Sequence, residues 1–347
     1  MKEGAMTNIR SGSKVIAIVL VALMGTVMCS KKPLDERAKI ILEKGQKDKN
    51  QMVRMAAAEA VAALGDSSGL TVLRAALNDT AVDIRLAALR ALGRAGDQSA
   101  LEAVRKFISD PLPFPRIAAI DVVAELKDKQ SIELIQPFLK DKVSTVRIAA
   151  AGALKLLDAR EAMGDLRRML NDPDTIARYT AAEVLVSLGD KSALPILRKG
   201  LKDQNVDQVI AAIKSIGRIK DTASIADLKK ELNAERRDIR LAAAEALLRM
   251  GVKDAMPTMI DGLASKDAFM RFGVVEVLYD EGNPSILGDL YKMLKDPTVN
   301  VRMLTCRVIA KYGDKSSIPS LEKYLKHRDA YVRIVTAQTI LLLMKKG

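Results

Sequence analysis

Tryptophan is absent from the 347 residues, histidine occurs once, cysteine twice, and aromatic residues make up only 3% of the chain. Each shortage removes a class of reading. One histidine, His327, cannot supply the clusters of His and carboxylate that a helical metal hydroxylase needs. With Cys29 and Cys306 as the only thiols, a disulfide framework is excluded, and Cys306, on a packed helix, reads as a small buried thiol rather than a nucleophile. Lack of Trp removes the best stacking surface for a nucleic-acid base. Sustained period-two alternation is missing as well, which argues against strands.

What the chain holds in quantity is aliphatic residue and positive charge. Hydrophobic residues reach 49%, nearly all Ala, Leu, Ile, Val and Met at spacings of three and four, so an all-α protein is expected. The net charge is +13, with 56 Lys and Arg against 43 Asp and Glu, and this favours acidic proteins, polyanions or anionic lipid as partners.

The start of the chain reads as an address. A basic segment, MKEGAMTNIRSGSK, leads into the apolar run VIAIVLVALMGTVM and then Cys29. That run is too short for an ordinary membrane-crossing helix, which needs about 20 apolar residues, but has the shape of a secretory signal. Ending at a cysteine, it resembles the signal peptide of bacterial lipoproteins, in which the cysteine becomes the first mature residue and carries lipid. The resemblance implies that Cys29 is lipidated and that the protein is exported and lipid-anchored to the cell envelope. Because Ser30 follows the cysteine rather than Asp, an outer-membrane position facing the periplasm or the surface is preferred to the inner membrane. A signal anchor, or secretion with a free Cys29, is the alternative.

From Arg54 onward the sequence repeats every 31 residues. Arg54, Arg85, Arg116, Arg147, Arg178, Val209, Arg240, Arg271, Arg302 and Arg333 stand in strict register. Three residues after each marker stand Ala57, Ala88, Ala119, Ala150, Ala181, Ala212 and Ala243, then Val274, Thr305 and Thr336; seven after it every residue is aliphatic, from Val61 to Ile340. Offsets of three and seven share one helix face. Eleven after the marker comes Gly65, Gly96, Gly189, Gly251, Gly282 or Gly313, with Lys127, Asp158, Lys220 and Met344 as exceptions; a left-handed glycine is expected to end the helix there. A second helix follows with aliphatic positions 16, 19 and 23 after the marker.

These residues carry a resemblance. The VR followed by AA, the LGD turn and the start of the second helix at Ala193-Leu194-Pro195 resemble the HEAT-repeat superfamily, and within it the short PBS lyase HEAT-like repeats. The resemblance implies a right-handed α-solenoid of about ten two-helix units; the expected organisation is then the signal peptide over residues 1–28, a tether and capping helix over 29–47 and the solenoid over 48–347. It also implies a structural ladder that joins Asp48 with Arg54, Asp79 with Arg85, Asp110 with Arg116, Asp141 with Arg147, Asp172 with Arg178 and Asp296 with Arg302. That ladder lapses at Val209, Ala234 and Ser265, where local weakening is expected. With helices about 9 to 10 Å apart, ten units would extend as a curved rod on the order of 90 Å, its curvature open to change at Pro111, Pro113 and Pro115. The last unit has only its first helix, so the apolar end at Leu341 to Met344 is expected to be packed down or to form a contact surface.

By the same resemblance the second helices should line the concave side. Their outward positions would align Arg74, Arg105, Lys106, Arg167, Arg168, Arg198, Lys199, Lys229 and Lys230 into a basic ribbon suited to an acidic protein segment or an anionic envelope polymer. Seven of the eleven aromatics lie between Phe269 and Tyr331, and Tyr291 and Tyr324 are weaker candidates for a recognition patch. No catalytic, metal or cofactor residues are assigned. The expected function is a non-enzymatic, membrane-tethered scaffold or adaptor that mediates protein–protein interactions in the bacterial envelope. A polyanion-binding module using the basic face, and a HEAT-like lyase-related enzyme, are the alternatives; nucleic acid is disfavoured as a partner by the export signal.

Overall fold

The computed structural model describes residues 32–282 and 284–346, which are helices and turns with no strand among them. The expected signal peptide, 1–28, and the candidate lipid site Cys29 lie outside the described residues. The chain opens with α1 (Leu34–Gln46), α2 (Gln51–Ala63), α3 (Ser67–Ala76), α4 (Val82–Arg94), α5 (Leu101–Arg105), α6 (Pro113–Glu125) and α7 (Ile132–Ile135). It continues with α8 (Ser144–Leu156), α9 (Met163–Met169), α10 (Thr175–Ser187), α11 (Leu194–Gly200), α12 (Val206–Ile219) and α13 (Ile225–Glu231). The last are α14 (Arg237–Arg249), α15 (Met256–Asp261), α16 (Ala268–Glu281), α17 (Leu287–Met293), α18 (Val299–Tyr312), α19 (Ile318–Glu322) and α20 (Ala330–Lys345).

The even-numbered helices carry the 31-residue marker and form one tier. Each packs on the next even helix, closely at every joint but that between α14 and α16, while the shorter odd helices scarcely meet one another. Helices that stand close lie on the inside of a curve and helices that splay lie outside, so the marker helices form the concave wall. This reverses the expected assignment, in which the second helices were concave. Small side chains permit the close inner spacing: Ala57, Ala88, Ala119, Ala150, Ala181, Ala212 and Ala243 are wholly buried, and Leu92, Leu154, Leu185, Leu247 and Leu278 fill the space between tiers with no exposed surface.

The curve closes. Helix α1 packs on α2 and equally on α20, and α20 packs on α2. Arg37 of α1 meets Glu322 of α19 at 2.8 Å, and Lys345 donates to the carbonyl of Leu64 at 2.9 Å. Gly45 marks how tightly the seam is drawn, because a Cβ there would stand 2.8 Å from the Cβ of Ala57 and 3.1 Å from Cδ1 of Ile334. Helix α1 is thus the second helix of the tenth unit, supplied from the other end of the chain. The expected rod is a ring of ten units instead. Ten inner helices about 9 to 10 Å apart place their axes on a circle roughly 30 Å across, which leaves about 20 Å of clear lumen. Of the apolar end at Leu341 to Met344, Leu341 and Leu343 are packed down in this seam, at 8% exposed and with no exposed surface, while Met344 remains exposed.

Turns between inner and outer helices follow the expected left-handed form at Gly65, Gly96, Gly189 and Gly251, and Lys127, Asp158 and Lys220 adopt it without being glycine. Gly282 and Gly313 depart from it, with φ of −76° and −82°. There the glycine serves close approach, since a Cβ on Gly282 would lie 2.5 Å from Ile286 Cδ1. The three prolines do not interrupt the ring: Pro113 sits in the first turn of α6, where its missing N–H costs nothing, and α6 packs closely on both α4 and α8. The weak joint lies elsewhere, between α14 and α16, where the inner helices barely touch.

Candidate inner-wall site

Two ladders of charge hold the units in register, and the second of them takes up four of the nine residues of the expected basic ribbon. The marker arginines do not ion-pair with the aspartate six residues before them. Arg54 donates to the main-chain carbonyls of Asp48 and Lys49, Arg85 to those of Asp79 and Thr80, and Arg178 to those of Asp172 and Pro173. Each aspartate instead accepts the N–H two residues on, as Asp48 does from Asn50 and Asp110 from Leu112. Where the rung closes it does so between units: Arg116 with Asp141 at 3.1 Å, Arg147 with Asp172 at 2.6 Å and Arg271 with Asp296 at 2.5 Å. Arg302 has no such carboxylate, because His327 stands at the rung position; its guanidinium reaches the carbonyls of Asp296 and Pro297 and leaves Nε without a partner.

The second ladder links the outer helices. Arg74 pairs with Asp97, Arg105 with Asp128, Arg167 with Asp190 and Arg198 with Asp221, at 2.6 to 2.9 Å. The hydrogen bond from Arg74 holds the Asp97 carboxyl below its ordinary range against the effect of burial, and Arg105 does the same for Asp128. These four arginines are therefore structural rungs on the convex side rather than a concave docking surface. Arg168 and Lys230 pair along their own helices with Asp165 and Asp227. Lys106, Lys199 and Lys229 are exposed on the outer tier, with no ion pair among the described residues. The two tyrosines are likewise occupied: Tyr291 donates to the Ser317 hydroxyl at 2.8 Å, and Tyr324 is 9% exposed.

The concave wall carries a different set of residues, at positions 5 and 9 after the marker and two before it. Position 5 supplies Glu59, Arg90, Asp121, Glu183, Lys214, Glu245, Glu276 and Arg307, and position 9 adds Arg94, Glu125, Arg218, Arg249, Asp280 and Lys311. Both signs are present in equal measure, so this wall is not basic. Several charges interlock across units: Glu59 takes Arg94 at 2.8 Å and Arg307 at 3.0 Å, and Glu183, only 3% exposed, takes Lys155 at 2.7 Å and Arg218 at 2.6 Å. Burial disfavours the Glu59 carboxylate, but Arg94 and Arg307 outweigh it and the pKa falls. Asp121 behaves in the opposite sense. The protein surrounding it and the charge of Glu125 push its carboxyl up to about 6, against the pull of Arg90.

Apolar side chains also stand out from this wall. Phe114 and Ile176 are more than half exposed, as is Leu156, and Phe269 is 88% exposed. Phe269 lies at the mouth of a cleft of about 620 Å³ at the loose joint between α14 and α16, with Leu241, Met259, Met270 and Val274 on its apolar side. Lys214, Glu245, Arg249, Glu276 and Asp280 line the polar side. Arg249 is held by Glu245, Asp280 and Glu281, while Glu276 has no ion pair among the described residues. Sequence reasoning missed this cleft, although two signals marked it: the lapse of the ladder at Ala234 and Ser265, and the change from Ala to Gly at Gly273 beside the bulky Phe269 and Phe272.

Nothing in the described residues brings together three or more His, Cys, Asp or Glu side chains that could hold a metal ion, and no described helix is long and apolar enough to cross a membrane. The Cys306 thiol is pushed up to about 12 by burial and lies 3.9 Å from the Thr336 hydroxyl, so it is not an available nucleophile.

The profile of the HEAT-repeat family matches four overlapping stretches, residues 70–155, 106–185, 134–217 and 165–247, and a separate one, residues 270–341. The chain is a HEAT-repeat protein. A further match, to the PBS lyase HEAT-like repeat, covers residues 53–79 of this HEAT-repeat chain. Comparison with curated proteins gives no match. Among solved structures it is similar to the complex of CpcE and CpcF of phycocyanin lyase from Nostoc sp., at 20% identity and a TM-score of 0.49, over 65% of this chain and 94% of that one. Human deoxyhypusine hydroxylase in complex with glycerol is similar at 19% identity and a TM-score of 0.36, over 73% and 99% of the two chains. The Escherichia coli protein YibA is similar at 19% identity and a TM-score of 0.36, over 68% and 90%.

Proposed function

We propose that this HEAT-repeat ring is a non-enzymatic scaffold of the bacterial cell envelope, tethered through lipid on Cys29, that binds a protein segment on its inner wall. The observation that carries the reading is the row of apolar side chains left in water on the concave side, Phe114, Leu156, Ile176 and Phe269, beside a cleft with both apolar and charged walls. These four are the most exposed of the large apolar side chains among the described residues, ahead of Val72 and Leu134 on the outer helices, and such groups on a concave surface are what a protein interface uses. The expected acidic partner of a basic concave face loses its support, because that face holds charges of both signs.

The tether would set the orientation. Cys29 precedes Lys32 by three positions, and α1 enters the ring on the face where α20 ends and where Lys346 reaches the carbonyls of Lys311 and Gly313. Lipid at Cys29 would hold that face toward the membrane and turn the opposite mouth, with Met52, Phe114, Ile176 and Phe269 at the first turns of the inner helices, toward the periplasm or the exterior. Crosslinking in envelope fractions, with a photoreactive residue at Phe114 and, separately, at Lys199, tests the choice of surface. Adducts with one protein at Phe114 and none at Lys199 are expected. The reverse pattern, lost at modest salt, would favour the polyanion-binding alternative.

A further inference from the structure

The cleft between α14 and α16 narrows the kind of segment the inner wall can take. It lies where the ladder is interrupted. Arg240 finds only the carbonyls of Ala234 and Glu235, since Ser265 replaces the aspartate that would close its rung, and the unit before it has Val209 in place of arginine. Both neighbouring joints lack the rung, yet α12 still packs closely on α14, and only α16 stands away from α14. The gap of about 620 Å³ is within the range of small-ligand and side-chain pockets.

Its walls divide by chemistry. Phe269, Met270 and Val274 of α16 present apolar surface, and Phe269 is almost wholly in water. Glu276 lies two turns further along the same helix, with Glu245 of α14 and Asp280 close enough to repel its charge. Of the cations that line the cleft, Arg218 is taken by Glu183 and Arg249 by Glu245, Asp280 and Glu281. Lys214 of α12 is left to face Glu276; desolvation, followed by the charges of Asp280 and Glu245, outweighs the attraction of Lys214 and Arg249, so the Glu276 carboxyl stays above the ordinary range. An arriving cation would relieve that repulsion without breaking an existing ion pair.

We infer that the cleft binds a polypeptide segment in which a lysine or arginine stands beside a bulky apolar residue, the cation on Glu276 and the apolar side chain against Phe269 and Met270. This rests on the proposed protein-binding role and adds the chemistry of the partner. The complementarity is double: an unpaired carboxylate among other carboxylates, and an exposed aromatic ring next to a flexible methionine, a combination suited to an apolar side chain of variable shape.

Absence of tryptophan supplies the probe. Phe269→Trp would be the single tryptophan of the protein, placed at the mouth of the cleft. The full chain carrying this substitution is screened against a random hexapeptide library on beads, and the hits are titrated by the shift of tryptophan emission. Hits rich in Lys or Arg next to Leu, Ile, Met or Phe are expected, with at least tenfold weaker binding after Glu276→Gln and unchanged binding after Lys199→Glu on the outer tier. Phe269→Ala in the otherwise native chain, titrated with the same peptides by anisotropy, should also weaken binding at least tenfold. Acidic or uncharged hits, or basic hits indifferent to Glu276→Gln, would overturn the inference. Hits lost on Phe114→Ala but kept on Glu276→Gln would overturn the cleft and leave the scaffold reading standing. No hits at all would overturn both.

Discussion

Closure of the ring makes two residues near opposite ends of the chain energetically dependent on each other. Leu42 of α1 and Leu341 of α20 line one crevice with Val61 of α2 and Leu64 just beyond it, and Leu42 and Leu341 are 3% and 8% exposed. Truncating either to alanine removes buried aliphatic surface and leaves a cavity, at a cost of about 2 to 5 kcal/mol each. In a linear array Leu42 would sit on a terminal helix, Leu341 on the other terminus, and their losses would add to within about 0.5 kcal/mol. In the ring the two truncations open the same space, so the second should cost less than the first, with a coupling of about 1 to 2 kcal/mol. Urea unfolding of the native chain, both single variants and the double variant gives this number directly. Additive losses would refute the seam.

Other consequences follow from individual residues. Replacing His327 with Asp should close the missing rung to Arg302, as Asp296 does for Arg271, and raise stability by about 1 to 2 kcal/mol, read from the urea midpoint. Lys220→Gly and Asp158→Gly should each stabilise by up to about 1 kcal/mol, because both residues hold a left-handed backbone that glycine adopts freely. Asp121 titrates at about 6 in the folded chain, above its unfolded value, so its contribution favours folding below about pH 4 and is lost as pH rises through 6. Asp121→Asn should therefore flatten the stability profile between pH 4 and 6, and a profile unchanged by the substitution would contradict the assignment. The rung acids Asp97 and Asp128, whose pKa values are lowered, act the other way and withdraw stability as pH falls below the ordinary carboxylate range.

Much of the fold was legible because packing repeats at one period. Ala57 to Thr336 and Val61 to Ile340 are the buried contact residues that their spacing implied, and Lys127, Asp158 and Lys220 take the turn conformation even where glycine is missing. Closure was not legible as such, since it depends on small rotations per unit that no single residue encodes. A hint exists in register: Ala38, Leu42 and Gly45 fall ten periods before the second helix that the last unit lacks. Choice of the concave tier failed for a different reason, because both tiers are amphipathic and an exposed basic row looks the same whichever way it faces. Charges of alternating sign at Glu59, Arg90 and Asp121, on the helices rich in alanine, were the better guide to the inner wall. Arginine at Arg74, Arg105, Arg167 and Arg198 read as free charge because the partner aspartates lie 23 residues away, in the turn of the next unit.

Closure requires that α1 and the last unit of the array meet and enclose a lumen. Spin labels at Lys39→Cys on α1 and Lys323→Cys beside α19, in a Cys29→Ser background with Cys306 buried, report that distance by pulsed electron spin resonance. The ring predicts a narrow distribution at neighbouring-helix separation, on the order of 10 to 20 Å with the label arms. A distribution centred at about 80 to 90 Å, the span of ten units laid end to end, would contradict it.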